Sequence, residues 1–149
     1  MDKIDVKIKK LHPDAIIPTY GSKYAAGFDF YALEDIIIRP GETDLIKTGI
    51  AMAIPEGYEI QVRPRSGMSL KTSFRVANAP GTIDSDYRGE CCVIGHNLAD
   101  GKLRNISIKK GDRIAQGVLG KIPQANFQVV EDLDDTERGQ GGFGSTGKS

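Results

Sequence analysis

The chain alternates. In "KIDVKIK", Ile4, Val6 and Ile8 stand between Lys3, Asp5, Lys7 and Lys9, and in "YEIQVR" Tyr58, Ile60 and Val62 are interleaved with Glu59, Gln61 and Arg63. A two-residue apolar period marks a half-buried strand, because successive side chains leave a strand on opposite faces. "DIIIRPGE", "DLIKTGIAMAIPEG", "GKLRNISIKKGD" and "FQVVED" add β-branched runs cut by Pro and Gly turns, the signature of short strands. Roughly ten or more such segments fit the chain. Only "SGMSLKTS" reads as a helix, a short one with Ser66 as its N-cap. The expected fold is an all-β sandwich or barrel without internal repeats.

At 149 residues the chain is long enough for one domain with one core. Lys+Arg and Asp+Glu are both 20, so zero formal charge offers no bulk attraction to duplex nucleic acid or an anionic membrane. The opening "MDKIDVKIKK" has no apolar core of a signal peptide, and no run approaches the ~18 apolar residues of a membrane span. A soluble protein, cytoplasmic or otherwise intracellular, is expected. Cys91 and Cys92 are adjacent, which disfavours an intrachain disulfide, and no Cys/His set has zinc spacing. After Val130 the composition turns acidic and then Gly-rich. Residues 1–130 are therefore expected to form the barrel, and 131–149 an appendage outside its core.

Five stretches depart from the strand pattern. In "AAGFDFYA", Asp29 sits among apolar neighbours, either as a turn aspartate capping backbone N–H groups or as a carboxylate needing a cation. "RPRSGMS" brings a guanidinium (Arg65), a hydroxyl (Ser66) and backbone N–H groups together, chemistry suited to a phosphate oxygen, unless Ser66 is a plain cap. "NAPGTIDSDYRGE" reads as a hairpin in which Asp84 and Asp86, two apart, share a strand face, or else as an exposed charged loop. "KKGDRIAQG" reads as a Gly111-Asp112 turn before an edge strand interrupted by Gln116. The tail "GFGSTGKS" matches the phosphate-loop pattern through Lys148 and Ser149. With an acidic stretch before it and no helix expected after it, the tail is a mobile end or an arm that grips phosphate.

Taken together, "AGFDFYA", "PRSGMS", "GTIDSDYRGE", "GDRIAQ" and "RGQGGFGSTG" closely resemble, in order and spacing, the five motifs of the trimeric all-β dUTPases. The resemblance spans most of residues 16–147; Phe28 and Phe30 stand where the family often has smaller aliphatics, and Met68-Ser69 where Leu-Ala is common. It implies a distorted jelly-roll or β-clip barrel with one short helix and a flexible Gly-rich C-terminal arm. The implied reaction is Mg²⁺-assisted hydrolysis of dUTP to dUMP and pyrophosphate, which lowers dUTP and supplies dUMP for thymidylate synthesis.

The resemblance also implies residue roles. Asp84 corresponds to the catalytic base and Asp29 to the carboxylate that holds the waters of a magnesium ion bound mainly by the triphosphate. Arg65, Ser66, Gly67 and Gln116 correspond to phosphate ligands. Asn78 and the backbone of residues 79–83, including Gly81 and Ile83, correspond to the uracil site, and Tyr87 to the wall against deoxyribose. Arg138, Phe143, Gly144, Ser145 and Thr146 correspond to an arm closing over the site, Phe143 on the uracil. The family is a homotrimer with shared active sites, each closed by an arm reaching from a neighbouring subunit. A dCTP deaminase-like or inactive nucleotide-binding homologue shares the fold and is the competing reading.

Overall fold

The structure is a computed structural model describing residues 1–100 and 104–147. Among these lie twelve strands and one helix: β1 (Lys7–Lys10), β2 (Thr19–Tyr20), β3 (Phe28–Tyr31), β4 (Ile36–Ile38), β5 (Thr43–Lys47), β6 (Ile50–Ala53), β7 (Tyr58–Arg63), α1 (Ser66–Lys71), β8 (Phe74–Val76), β9 (Gly81–Ile83), β10 (Cys92–Asn97), β11 (Ile106–Ile108) and β12 (Arg113–Lys121). A five-stranded sheet β2-β3-β12-β7-β9 and a three-stranded sheet β5-β10-β8 are joined by the ribbons β1-β6 and β11-β4. The pairings are antiparallel, as turn-linked short strands dictate.

One core fills the space between these layers. Phe28, Phe30, Ile60, Val62 and Ile114 come from the large sheet, Ile46, Phe74, Val76 and Val93 from the small one, and Ile38, Ile50 and Ile108 from the ribbons. Phe28 and Phe30 stack edge to face at 5.3 Å. The bulk of these rings is taken up at Gly117, where a methyl group would stand 2.4 Å from Phe28 and 2.9 Å from Phe30. The buried Asn97 satisfies its whole amide. It donates to the carbonyls of Ile38 and Arg104 and accepts from the Ser73 hydroxyl and the Ala99 N–H, which ties β10 to the chain on both sides.

Several local expectations change. The N-terminal strand begins at Lys7, where pairing with Ala53 of β6 starts, and Ile4 lies ahead of it, exposed. Ser66 is the first residue of α1; the cap position is Arg65, in extended geometry with no side-chain cap bond. The hairpin expected in "NAPGTIDSDYRGE" does not form: β9 pairs with β7, and the next strand, β10, pairs with β5 and β8 in the other sheet. β12 is a central strand, not an edge, which explains its buried run. In "GKLRNISIKKGD" the strand is Ile106–Ile108, and residues 101–103 lie outside the described residues.

"FQVVED" forms no strand. β12 ends at Lys121, Ile122 is anchored through its N–H to the Gly57 carbonyl at 2.8 Å, and 123–147 contain no regular element. Phe127 is 91% and Val129 100% exposed. A β-branched run becomes a strand only where it pairs, because its N–H and C=O groups need partners, and among the described residues this one pairs with none. Among the described residues no helix is long and apolar enough to cross a membrane.

Candidate active site

The first cluster lies at one end of the large sheet. Asp29 is inside β3, not in a turn, and faces Gln116 of β12, which in turn faces Arg63 of β7. Arg113 is opposite Tyr31, on the same face as Asp29. Arg113 and Gln116 are three residues apart, a spacing that sends side chains to opposite faces of a regular strand. A register shift between Arg113 and Ala115 absorbs one residue. Ile114 and Ala115 are both buried in the core as a result, and the two polar side chains return to one face.

The Asp29 carboxylate, 14% exposed, accepts from Arg65 Nε at 3.0 Å through Oδ1 and pairs with Arg113 Nη1 at 3.6 Å through Oδ2. Arg65 also reaches the Arg113 carbonyl, at 3.4 Å, so both guanidiniums are braced. Gln116 donates Nε2 to the Pro64 carbonyl at 2.9 Å, tying β12 to the turn that presents Ser66 and Gly67. Gly27 lets Gln116 approach: a methyl group there would stand 2.4 Å from Oε1. Ser66 and Gln116 border an open hollow with Pro64 and Ala79. Arg113 is the residue that reading by alternation misses, because its odd spacing from Gln116 argues against a shared face until the bulge is seen.

The second cluster surrounds a cavity of about 260 Å³ lined by Asn78, Gly81, Thr82, Ile83, Asp84 and Tyr87, with Val62, Cys91 and Cys92. That is slightly under the roughly 300–1,000 Å³ of ordinary small-molecule pockets, room for a ring and a sugar rather than a whole nucleotide. Gly81 lies so close to Val62 and Asn78 that a methyl would meet them at 3.1 and 3.2 Å. Burial pushes both cysteine thiols up to about 11, and the Glu90 carboxylate adds to the rise, so the sulfur lining is uncharged at neutral pH.

β9 ends at Ile83, so Asp84 and Asp86 do not share a strand face; Asp84 begins a turn closed by the Tyr87 N–H on its carbonyl at 3.2 Å. The Asp84 side chain is exposed at the cavity rim, and among the described residues it has neither a hydrogen-bond nor an ion-pair partner.

The cavity's Val62 and Gly81 pair close to Pro64, but its Asp84 lies toward the far end of β7 from Arg65. Ile60 pairs with Ile83, which places Asp84 level with Glu59, six residues before Arg65. At about 3.3 Å per residue this is roughly 20 Å. A base acting at one phosphate and a guanidinium gripping the same triphosphate must lie much closer.

The third group is on the exposed arm. Local turns shape it: Gly139 N–H to the Thr136 carbonyl (3.1 Å), Gly141 N–H and Arg138 Nε with the carbonyl of the other residue (3.1 and 2.9 Å), and Ser145 N–H to the Gly142 carbonyl (3.0 Å). Phe143 holds a left-handed φ of 52° with its ring in solvent. Gly144, Ser145 and Thr146 are exposed beside it. No strand precedes this stretch, as a phosphate loop requires, and Lys148 and Ser149 lie outside the described residues.

The dUTPase family's sequence model matches residues 13–147. A protein of Nautilia profundicola is 55% identical over 143 residues, covering 96% of this chain and 99% of that protein. One of Wolinella succinogenes is 52% identical over 149 residues, covering 100% and 98%. Both are named deoxyuridine 5'-triphosphate nucleotidohydrolase. Among solved structures, the Staphylococcus bacteriophage 80alpha dUTPase with dUPNHPP superposes with a TM-score of 0.86 at 30% identity, covering 98% of this chain and 100% of that one. A variant dUTPase from phage phi11 of S. aureus, described with a structural Mg(II) ion, gives 0.80 at 27% identity, with 87% and 99% coverage. The fold is thus all-β, of the jelly-roll type.

Proposed function

The chain belongs to the dUTPase family and hydrolyses dUTP to dUMP and pyrophosphate, and we propose that it does so in sites assembled between copies of itself. The division along β7 carries this reading. A small pocket has a free carboxylate, Asp84, at its rim far along β7 from two braced arginines that stand with a hydroxyl and an amide. Each group suits one part of a nucleoside triphosphate, and the register of β7 with β9 holds Asp84 far from Arg65 within one chain.

In the nucleoside half, Asn78 and the backbone of Gly81 and Ile83 pair with the uracil edge, and Tyr87 stands against the deoxyribose. A ribonucleotide is excluded by its 2'-OH, and cytosine presents a donor where an acceptor is needed. Asp84 takes a proton from the attacking water as its oxygen bonds the α-phosphorus. The bond from that phosphorus to the bridging oxygen breaks, and its electrons leave with pyrophosphate. Carboxylates are ionised at neutral pH, so this step needs no histidine. Arg65, Ser66, the Gly67 N–H and Gln116 hold the phosphates, since phosphoryl transfer depends chiefly on positioning and charge neutralisation.

Among the described residues, no three His, Cys, Asp or Glu side chains converge on a metal-sized site. Asp29 fits a different mode. An ionised carboxylate has about four lone-pair sites, and Arg65 and Arg113 occupy one on each oxygen. The rest can hold water on a hydrated Mg²⁺ bound mainly by the triphosphate, which suits a hard ion reluctant to shed its shell. When bound, the ion neutralises charge on the phosphate oxygens.

We assign residues 1–130 to the barrel domain and 131–149 to the arm, which closes over a neighbour's site with Phe143 on the uracil and Arg138, Gly144, Ser145 and Thr146 on the phosphates. The assembly is a homotrimer. The exposed Phe127, Val129 and Leu133 support association, because large apolar side chains close together in solvent suit a surface that another chain covers.

Two experiments test this. Incubated with Mg²⁺ and a panel of nucleotides, the protein should release pyrophosphate from dUTP and much less from UTP, dTTP or dCTP. Ammonia from dCTP would instead establish the deaminase reading. Arg65→Ala and Asp84→Asn proteins, each inactive alone, should regain activity when co-refolded, because roughly a quarter of randomly assembled sites would draw an intact Asp84 and an intact Arg65 from different chains. No recovery, or full activity from a monomer by light scattering, would refute the shared site.

A further inference from the structure

Tyr87 is supported by its own loop. Its N–H closes the turn on Asp84, and its Oη donates to the Glu90 carbonyl at 3.0 Å, so the side chain folds back across residues 88–90. What lies under the ring is Gly89. A methyl group there would stand 2.4 Å from Oη, 2.6 Å from Cζ and 2.9 Å from Cε2. Gly89 is not among the glycines with positive φ, so its backbone does not demand glycine; the space does. Tyr87 is 47% exposed and lines the nucleoside cavity. Glu90, which supplies the accepting carbonyl, is itself fixed, because its Oε2 accepts from the Gly49 N–H at 3.2 Å.

We propose that Gly89 is a specificity-determining positioning residue: it leaves the room that lets Tyr87 lie flat and hydrogen-bonded, as a rigid wall against the sugar. The inference rests on the dUTP reading above. A wall rejects a 2'-OH only if it cannot yield, and the ring is held at two places, its root at the Asp84 turn and its tip at the Glu90 carbonyl. With alanine at 89 the tip cannot keep that hydrogen bond and also clear the methyl. The ring is the free end of a half-exposed side chain, so it swings aside at little cost to the fold. What is lost is the fixed position of the wall.

The test compares kcat/KM for dUTP and UTP in the full-length protein, together with thermal unfolding. Gly89→Ala should unfold within a few degrees of the wild type and keep kcat for dUTP within a few-fold, since Asp84 is not displaced. KM for dUTP should rise, and the dUTP/UTP ratio of kcat/KM should fall by about 10–100-fold, the range available when a pocket must reject an added hydroxyl by shape.

Tyr87→Ala should lose the same discrimination, and adding Gly89→Ala to it should change the ratio by no more than about twofold, because the glycine would have no ring left to place. An unchanged ratio in Gly89→Ala, a further fall in the double variant, or a Gly89→Ala protein that does not fold would each overturn the proposal. A wild-type protein that turns over dUTP and UTP alike would remove the sugar wall itself, an outcome distinct from a selective enzyme in which only Gly89→Ala is silent.

Discussion

Asp84→Asn should lower pyrophosphate release from dUTP by about 10²–10⁴-fold, the usual contribution of a positioned general base. Its fold and its nucleotide affinity should both be retained. Retention of fold follows from exposure: among the described residues the Asp84 side chain bonds to nothing, so the substitution leaves no partner unsatisfied. Retention of affinity follows from the chemistry, because an amide fills the same volume, removes a negative charge near the triphosphate and cannot take a proton from water. Calorimetry with a non-hydrolysable dUTP analogue would show binding as tight as wild type or tighter. Turnover within tenfold of wild type would eliminate Asp84 as the base, and lost binding would make it a substrate ligand instead.

Truncation after Glu137 should leave the barrel intact and turnover reduced by at least about 10²-fold, a loss typical when reacting groups are no longer held in place. Among the described residues, the arm beyond Glu137 bonds only to itself and its near neighbours, so unfolding temperature and oligomeric state should not change. Ordering a chain segment costs ~1–2 kcal/mol per residue. The turns from Thr136 to Gly147 already restrict the arm, which lowers that cost and presents Phe143 as an unpartnered aromatic ring. The reading predicts protection of the arm from proteolysis when a dUTP analogue and Mg²⁺ are present and rapid cleavage without them. A truncated protein with full turnover would show that the arm does not close the site.

Alternation identified the fold class because its physical basis is local: "YEIQVR" places Ile60 and Val62 on one face whatever pairs with them, and β7 is found there. A β-branched run was not enough at "FQVVED", which pairs with no strand among the described residues. The hairpin reading of "NAPGTIDSDYRGE" failed for a related reason, since β9 and β10 are close in sequence yet belong to different sheets. Partner choice is a long-range property, and no local period encodes it.

The candidate site divides in the same way. Residue types marked out the clusters that hold Asp29, Arg65, Ser66, Gln116, Asp84 and Tyr87, because polar groups interrupting apolar strands are chemically conspicuous, and the resemblance to the dUTPase motifs chose Asp84 over Asp86 and assigned the roles. Tertiary structure alone decided which of them meet. One extra residue in β12 turns Arg113 and Gln116 onto the face of Asp29. The register of β7 with β9 carries Asp84 about 20 Å from Arg65. Side-chain chemistry is written residue by residue, whereas facing and distance are set by bulges and strand registers, which emerge only when separate segments pair.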